Sequence, residues 1–207
     1  EEGRLDAGLQ QLVGPLDPSR SSTDTVGPVI GKELYTNAIM AVALASLLIL
    51  VYVSFRFEFK FGVAAIIALL HDVFLTLGLT ALIGYQVNTP FVAAILTVVG
   101  YSINDTIVIF DRIRENFRLR RKESYAELVD KSINQTLARS INTVGTTLVS
   151  IIALFFLGGV TLREFTLPLI IGITSGAYSS IFVAPPIWVI WKEAEQKKKA
   201  PAVRTSR

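Results

Sequence analysis

The sequence predicts an all-α, multi-span membrane protein with five transmembrane helices, and three observations carry that expectation. Of its 207 residues, 51% are hydrophobic and only 18% charged, against about 25% charged in a soluble domain. The shortfall sits in long apolar runs rather than being spread evenly, and the mean hydropathy is +0.51. Those runs exceed the roughly 20 residues that a helix needs to cross a hydrocarbon core about 30 Å thick.

Residues 1–33 mix turn formers with charge, contain no apolar core of a signal peptide, and end in Val26-Gly27-Pro28-Val29-Ile30-Gly31. They read as the tail of an external, periplasmic domain. With Glu1 in first position and Met40 the only methionine, the expectation is a piece of a longer or processed chain. The transmembrane bundle is expected over 34–191. Its spans are Tyr35–Phe55, Phe61–Gly84, Phe91–Phe110, Leu137–Leu157 and Phe165–Trp191. Pro185-Pro186 should kink the last of these, because proline removes a donor and clashes with the preceding turn. Residues 112–132 form the longest internal connection, where Ile113, Phe117, Leu128 and Val129 could line one face of a basic surface helix against anionic lipid headgroups. The basic tail 192–207 is expected to be disordered and solvated.

The basic residues set a direction. Of the 20 Lys and Arg, fifteen lie on one side, in Arg56 and Lys60, in 112–131 and in 192–207. Three lie in the N-terminal segment and one, Arg163, in the fourth connection, while Gly84–Pro90 has none. Positive loops stay in the cytoplasm, so residue 1 is expected outside and the C-terminus inside a cytoplasmic membrane. The twentieth cation, Arg139, opens the fourth span.

Charges inside apolar runs are the informative residues. An isolated Asp or Arg at the centre of a span costs about 2.5–3.5 kcal/mol on insertion scales, so such residues turn inward and mark a pathway. There are four candidates: His71 and Asp72 in the second span, Asp105 in the third and Arg139 in the fourth. At 1.5 Å per residue Asp105 lies about 6 Å to the cytoplasmic side of its span's centre, and Arg139 about 12 Å to the same side. An extended arginine bridges that difference. Arg139, Asn142, Thr143, Thr146 and Ser150 recur at helical spacing as one polar stripe. Ser102 sits one turn before Asp105, Asn104 and Thr106 flank it, and Asp72 shares a face with Thr76. Together they predict a hydrated polar seam. Gly172, Gly176 and Ser180, with Ser175 and Ser179, read as close helix packing. Burial favours a neutral Asp105, while a neighbouring guanidinium favours the carboxylate. A movement that parts and rejoins the two would take up and release a proton. The alternatives are a static ion pair that fixes packing, and ordinary interhelical hydrogen bonds along the Asn and Thr stripe.

Enzymatic readings fare worse. There is no GxxxxGK[ST] loop for ATP. Gly172-Ile173-Thr174-Ser175-Gly176 has one residue too many for the Gly-x-Ser-Gly of an intramembrane serine protease, and Asp105 lacks the Gly-x-Gly before it that a membrane aspartyl protease wants. No cysteine and a single histidine leave no thiol nucleophile and no multi-histidine metal site. No metal, cofactor or nucleic acid is expected.

The stretches VGPVIGKEL (Val26–Leu34), His71-Asp72-Val73 with Thr76-Leu77-Gly78, VGYSINDTIVIFDRIREN (Val99–Asn116) and QTLARSINTVGTTL (Gln135–Leu148) resemble the SecF branch of the SecD/SecF family. That family is itself related to the resistance-nodulation-division transporters. Gly158-Gly159 and the fifth span also fit, and the resemblance covers residues 26–191. It implies a six-span bundle with an external domain after the first span, most of which lies outside this sequence. It implies a SecD partner, separate or fused, and work beside SecA and the SecYEG channel on exporting preproteins, driven by the proton motive force. By motif position the family's essential aspartate falls on Asp105 and its arginine on Arg139. His71, Asp72, Ser102, Asn104, Thr106, Asn142, Thr143 and Thr146 support them. The coupling ion is expected to be a proton, with sodium as the other option. A proton-coupled exporter of small molecules or lipids is the alternative function, and a passive scaffold a third.

Overall fold

A computed structural model describes residues 28–120 and 122–199. The described residues are helical throughout, with short connections. Helix α1 covers Pro28–Arg56, α2 Phe59–Leu82, α3 Thr89–Leu119, α4 Tyr125–Leu157, α5 Val160–Phe182 and α6 Ala184–Lys199. Five stretches are long and apolar enough to cross a membrane, α5 and α6 counting together as one. The expected external-domain remnant lies largely outside the described residues, and α1 begins at Pro28, seven residues ahead of the hydropathy boundary at Tyr35.

Local chemistry accounts for the helix ends. The Asn88 side chain accepts a hydrogen bond from the Phe91 N–H at 3.0 Å, and Pro90 occupies the first turn of α3, where its missing N–H is not needed. At α4, Ser124 and Glu127 form a reciprocal capping box. Helix α2 stops at Gly84, whose φ of +83° belongs to the left-handed region. The Tyr85 N–H then reaches Thr80 O and the Gly84 N–H reaches Ala81 O, two carbonyls that would otherwise be orphaned.

The bundle is layered along its axis. An apolar cluster at the basic end joins Phe61, Ala64, Ala65 and Ala68 of α2 to Ile109, Phe110 and Ile113 of α3 and to Trp188 of α6. A smaller one at the opposite end joins Ala94 and Val98 to Leu169 and Ile173. Between them the same helices bury Asp72, Thr76, Ser102, Asp105, Thr106, Ser175 and Ser179. The core of this membrane protein is therefore a polar slab held between two apolar ones.

Glycines on α5 allow the slab to close. A Cβ at position 172 would stand 2.2 Å from Val98 Cγ2 and 3.0 Å from Thr76 Oγ1, and one at 176 would stand 3.2 Å from Ser102 Cα. Small residues at this spacing let backbones approach. A Gly172→Ala chain is expected to melt earlier, by the equivalent of about 1–3 kcal/mol for an overpacked core. Adding Val98→Ala removes the clashing methyls and should restore most of the loss in a detergent melt. Failure of that second change to rescue would exclude the contact as the cause.

Two expectations need correcting, and a third is located. The connection 112–132 is not a surface helix: α3 continues to Leu119, α4 starts at Tyr125, and Ile113, Leu128 and Val129 are buried in the basic-end cluster. The fifth span is interrupted where the prolines were expected to kink it, at Val183 between α5 and α6, because Pro185 and Pro186 cannot donate to the carbonyls of the preceding turn. The tail is ordered as far as 199: Lys192 donates to Glu58 at 2.8 Å, and Lys60 pairs with Glu195. Residues 200–207 lie outside the described residues.

Candidate functional site

Asp72 is the hub of the polar slab. It stands midway along α2 with no exposed surface, and α3 and α5 both bring hydroxyls to it. Ser175 donates to Oδ1 at 2.7 Å. Ser102 and Ser179 donate to Oδ2 at 2.5 and 2.6 Å. His71 places Nδ1 3.1 Å from Oδ1. Inside a bilayer no water replaces a missing partner, so a buried carboxylate needs donors from neighbouring helices. Serine suits this role because it is short enough to remain within a close helix contact. The Asp72 carbonyl also accepts from Thr76 at 2.7 Å, which fixes Thr76 on the same face.

Asp105 is placed differently. It is buried, with 6% exposure, on the turn after Ser102. Among the described residues it has no ion-pair partner within 4.0 Å. Arg139 is exposed at the start of the membrane part of α4, and its field reaches the Asp105 carboxyl without contact. The two are neighbours rather than a closed pair. One turn earlier, Tyr101 Oη and Thr147 Oγ1 stand 2.5 Å apart and tie α3 to α4.

The expected seam therefore separates into two parts. Asp72, Ser102 and Thr106 lie inside the bundle, with His71 at its edge. Asn104, Arg139, Asn142 and Thr146 are exposed, and Thr143 is half-buried. The α4 hydroxyls bond back to their own helix: Thr143 to Arg139 O, Thr146 to Asn142 O and Ser150 to Thr146 O, at 2.9 to 3.0 Å. Such back-bonding satisfies a threonine without any neighbour. Sequence reasoning placed Ser175 and Ser179 with packing and missed their bond to Asp72. The available signal was only general: an aspartate in mid-span needs donors from neighbouring helices, and the fifth span carries serines. The tie from Tyr101 to Thr147 was not anticipated either. Among the described residues no three His, Cys, Asp or Glu converge as metal ligands.

Membrane-crossing helices packed around buried ionisable groups define a multi-pass α-helical membrane protein. The profile of the family described as protein export membrane protein SecD/SecF, C-terminal, matches residues 8–194. The chain belongs to the SecD/SecF family. It is 52% identical over 201 residues to the protein translocase subunit SecDF of Thermus thermophilus, covering 97% of this chain and 27% of that one. It is 51% identical over 178 residues to the protein translocase subunit SecF of Alicyclobacillus acidocaldarius, covering 84% and 58% of the two. A crystal structure of SecDF in a super-membrane-facing form superposes with a TM-score of 0.80 at 43% identity, over 97% of this chain and 27% of that one. The chain thus spans about a quarter of the SecDF relative and just over half of the SecF relative.

Proposed function

We propose that this chain is the membrane-spanning part of a SecF-type subunit that couples the proton motive force to late steps of protein export. One observation carries the reading. Asp105 is buried inside the bundle, lies within the field of Arg139, and is not closed onto it. A carboxylate so placed changes its preferred protonation with a small helix displacement, because burial and the guanidinium favour opposite charge states. The proton is the coupling ion, because an arginine neighbour suits a titrating acid better than a sodium cage.

The basic end faces the cytoplasm, following the bias of the loops, and its arginines and lysines attract anionic lipid headgroups. The partners are SecD, the SecYEG channel and the exporting preprotein. One charge crossing 100 mV contributes about 2.3 kcal/mol. Carrying a two-state equilibrium from 1:99 to 99:1 takes about 5.5 kcal/mol. The cycle consequently uses more than one proton, a larger gradient, or help from the bound client.

Copurification from membranes followed by proton flux in liposomes tests the reading. Copurification with SecD and the channel, together with flux that depends on Asp105, supports it. Flux without those partners, with normal secretion in a deletion strain, points to a small-molecule or lipid exporter. Partners without flux leave a scaffold.

A further inference from the structure

We propose that His71 and Asp72 form a second proton-exchange site, apart from Asp105 and Arg139, in which the imidazole carries a proton to and from a carboxylate sealed inside the bundle.

Asp72 is fully buried, so no proton reaches it directly. Among the described residues its one titratable contact is His71, at 3.1 Å and with a side chain 34% exposed, which links the carboxylate to the surface of the bundle. Every element packed around it supplies a neutral group. From α3 comes Ser102, with Asp105 on the next turn. From α5 come Ser175 and Ser179, and Tyr178, whose ring lies 6.5 Å from that of His71. Among the described residues no lysine or arginine lies within 4.0 Å of it. With hydroxyls and one imidazole as its only side-chain partners among the described residues, this carboxyl can exchange a proton only through His71. A metal ion fits poorly. The serine oxygens sit 2.5 to 2.7 Å from the carboxylate oxygens, at hydrogen-bond separation, whereas a cation between them would push them further apart.

The step balances. Neutral His71 holds its proton on Nδ1 against Asp72 Oδ1. It accepts a second proton at Nε2, and the Nδ1 proton then passes to Oδ1. This leaves a neutral imidazole protonated at Nε2 and a neutral acid. The Ser175 hydroxyl, which donated to a charged oxygen, now donates to the weaker acceptor of a neutral acid, so the bond is no longer charge-assisted. Protonation thereby weakens a hydrogen bond between α2 and α5, and Ser102 ties the same carboxyl to the helix that carries Asp105. That last coupling rests on the proton-driven reading above; the exchange at Asp72 does not.

The test uses the complete chain with its SecD partner in liposomes. Infrared difference spectra on changing pH should show a protonated-carboxyl band that disappears in Asp72→Asn and persists in Asp105→Asn. His71→Ala should slow proton flux about a hundredfold or more, within the range of a lost general acid–base group. Added imidazole should restore it, which no structural role of His71 explains. If Asp72→Asn fails to assemble, Ser175→Ala keeps the acid and should shift the band by removing one of its hydrogen bonds. A band unchanged in Asp72→Asn, or unshifted in Ser175→Ala, would overturn the proposal. So would His71→Ala flux that equals the parent's or ignores imidazole. Flux surviving in Asp105→Asn while the Asp72 band behaves as expected counts against the earlier reading alone.

Discussion

Asp105→Asn is expected to leave insertion and assembly intact while gradient-dependent export falls to the rate seen without a gradient. The substitution keeps shape and polarity and removes only the titrating group, and a neutral amide is easier to place in hydrocarbon than a carboxylate. Withdrawing the drive of one proton across 100 mV removes about 2.3 kcal/mol, close to 50-fold in an equilibrium. Arg139→Met should give the same loss by the opposite route. The acid stays, but the neighbouring positive charge that favours release of its proton is gone. In-vitro export of a labelled preprotein, with and without an imposed gradient, measures both. Normal gradient dependence in either variant would reduce the intramembrane charges to packing. Asp105→Glu, which still titrates, should retain more activity than Asp105→Asn.

The largest loss of stability is expected from Trp188→Ala. Trp188 is wholly buried, stacked on Phe61 at 5.0 Å and 11°. The rings of Phe117 and Tyr125 stand edge-on to it at 5.9 Å. It therefore joins α2, α3, α4 and α6 at one point. Truncating a buried aromatic of this size costs about 3–5 kcal/mol in a core that cannot collapse. Here collapse would require four helices to move together. A melting curve in detergent should show a large downward shift, and trypsin should cut sooner at Lys192 once α6 is released. Trp188→Phe keeps a ring against Phe61 and should lose far less. Equal melting of parent and Trp188→Ala would show that the cluster is not what fixes α6.

How much of this was readable beforehand differs between elements. The five spans follow from composition alone, since a bilayer admits few folds for runs that long. The helix ends went wrong where the sequence turns polar. Residues 112–119 and 125–132 carry enough charge to look like a connection, yet their apolar positions complete the Trp188 cluster, and only tertiary packing reveals that. The candidate site divided for a similar reason. Helical spacing shows that Arg139, Asn142 and Thr146 share a face, but not which way the face turns, and it turns outward from this chain. Asp72 was underrated because its partners lie 30, 103 and 107 residues away. No local pattern connects an aspartate to serines at such separations.

The unbroken length of α3 has a mechanical consequence. It crosses α5 closely at Val98 against Gly172, nine residues from Thr89 and twenty-one from Leu119. At 1.5 Å per residue the arms are about 14 and 32 Å. A rod pivoting there behaves as an unequal see-saw. Any tilt begun beside the carboxylates swings the far tip, with its arginines, through roughly twice the arc of the short end.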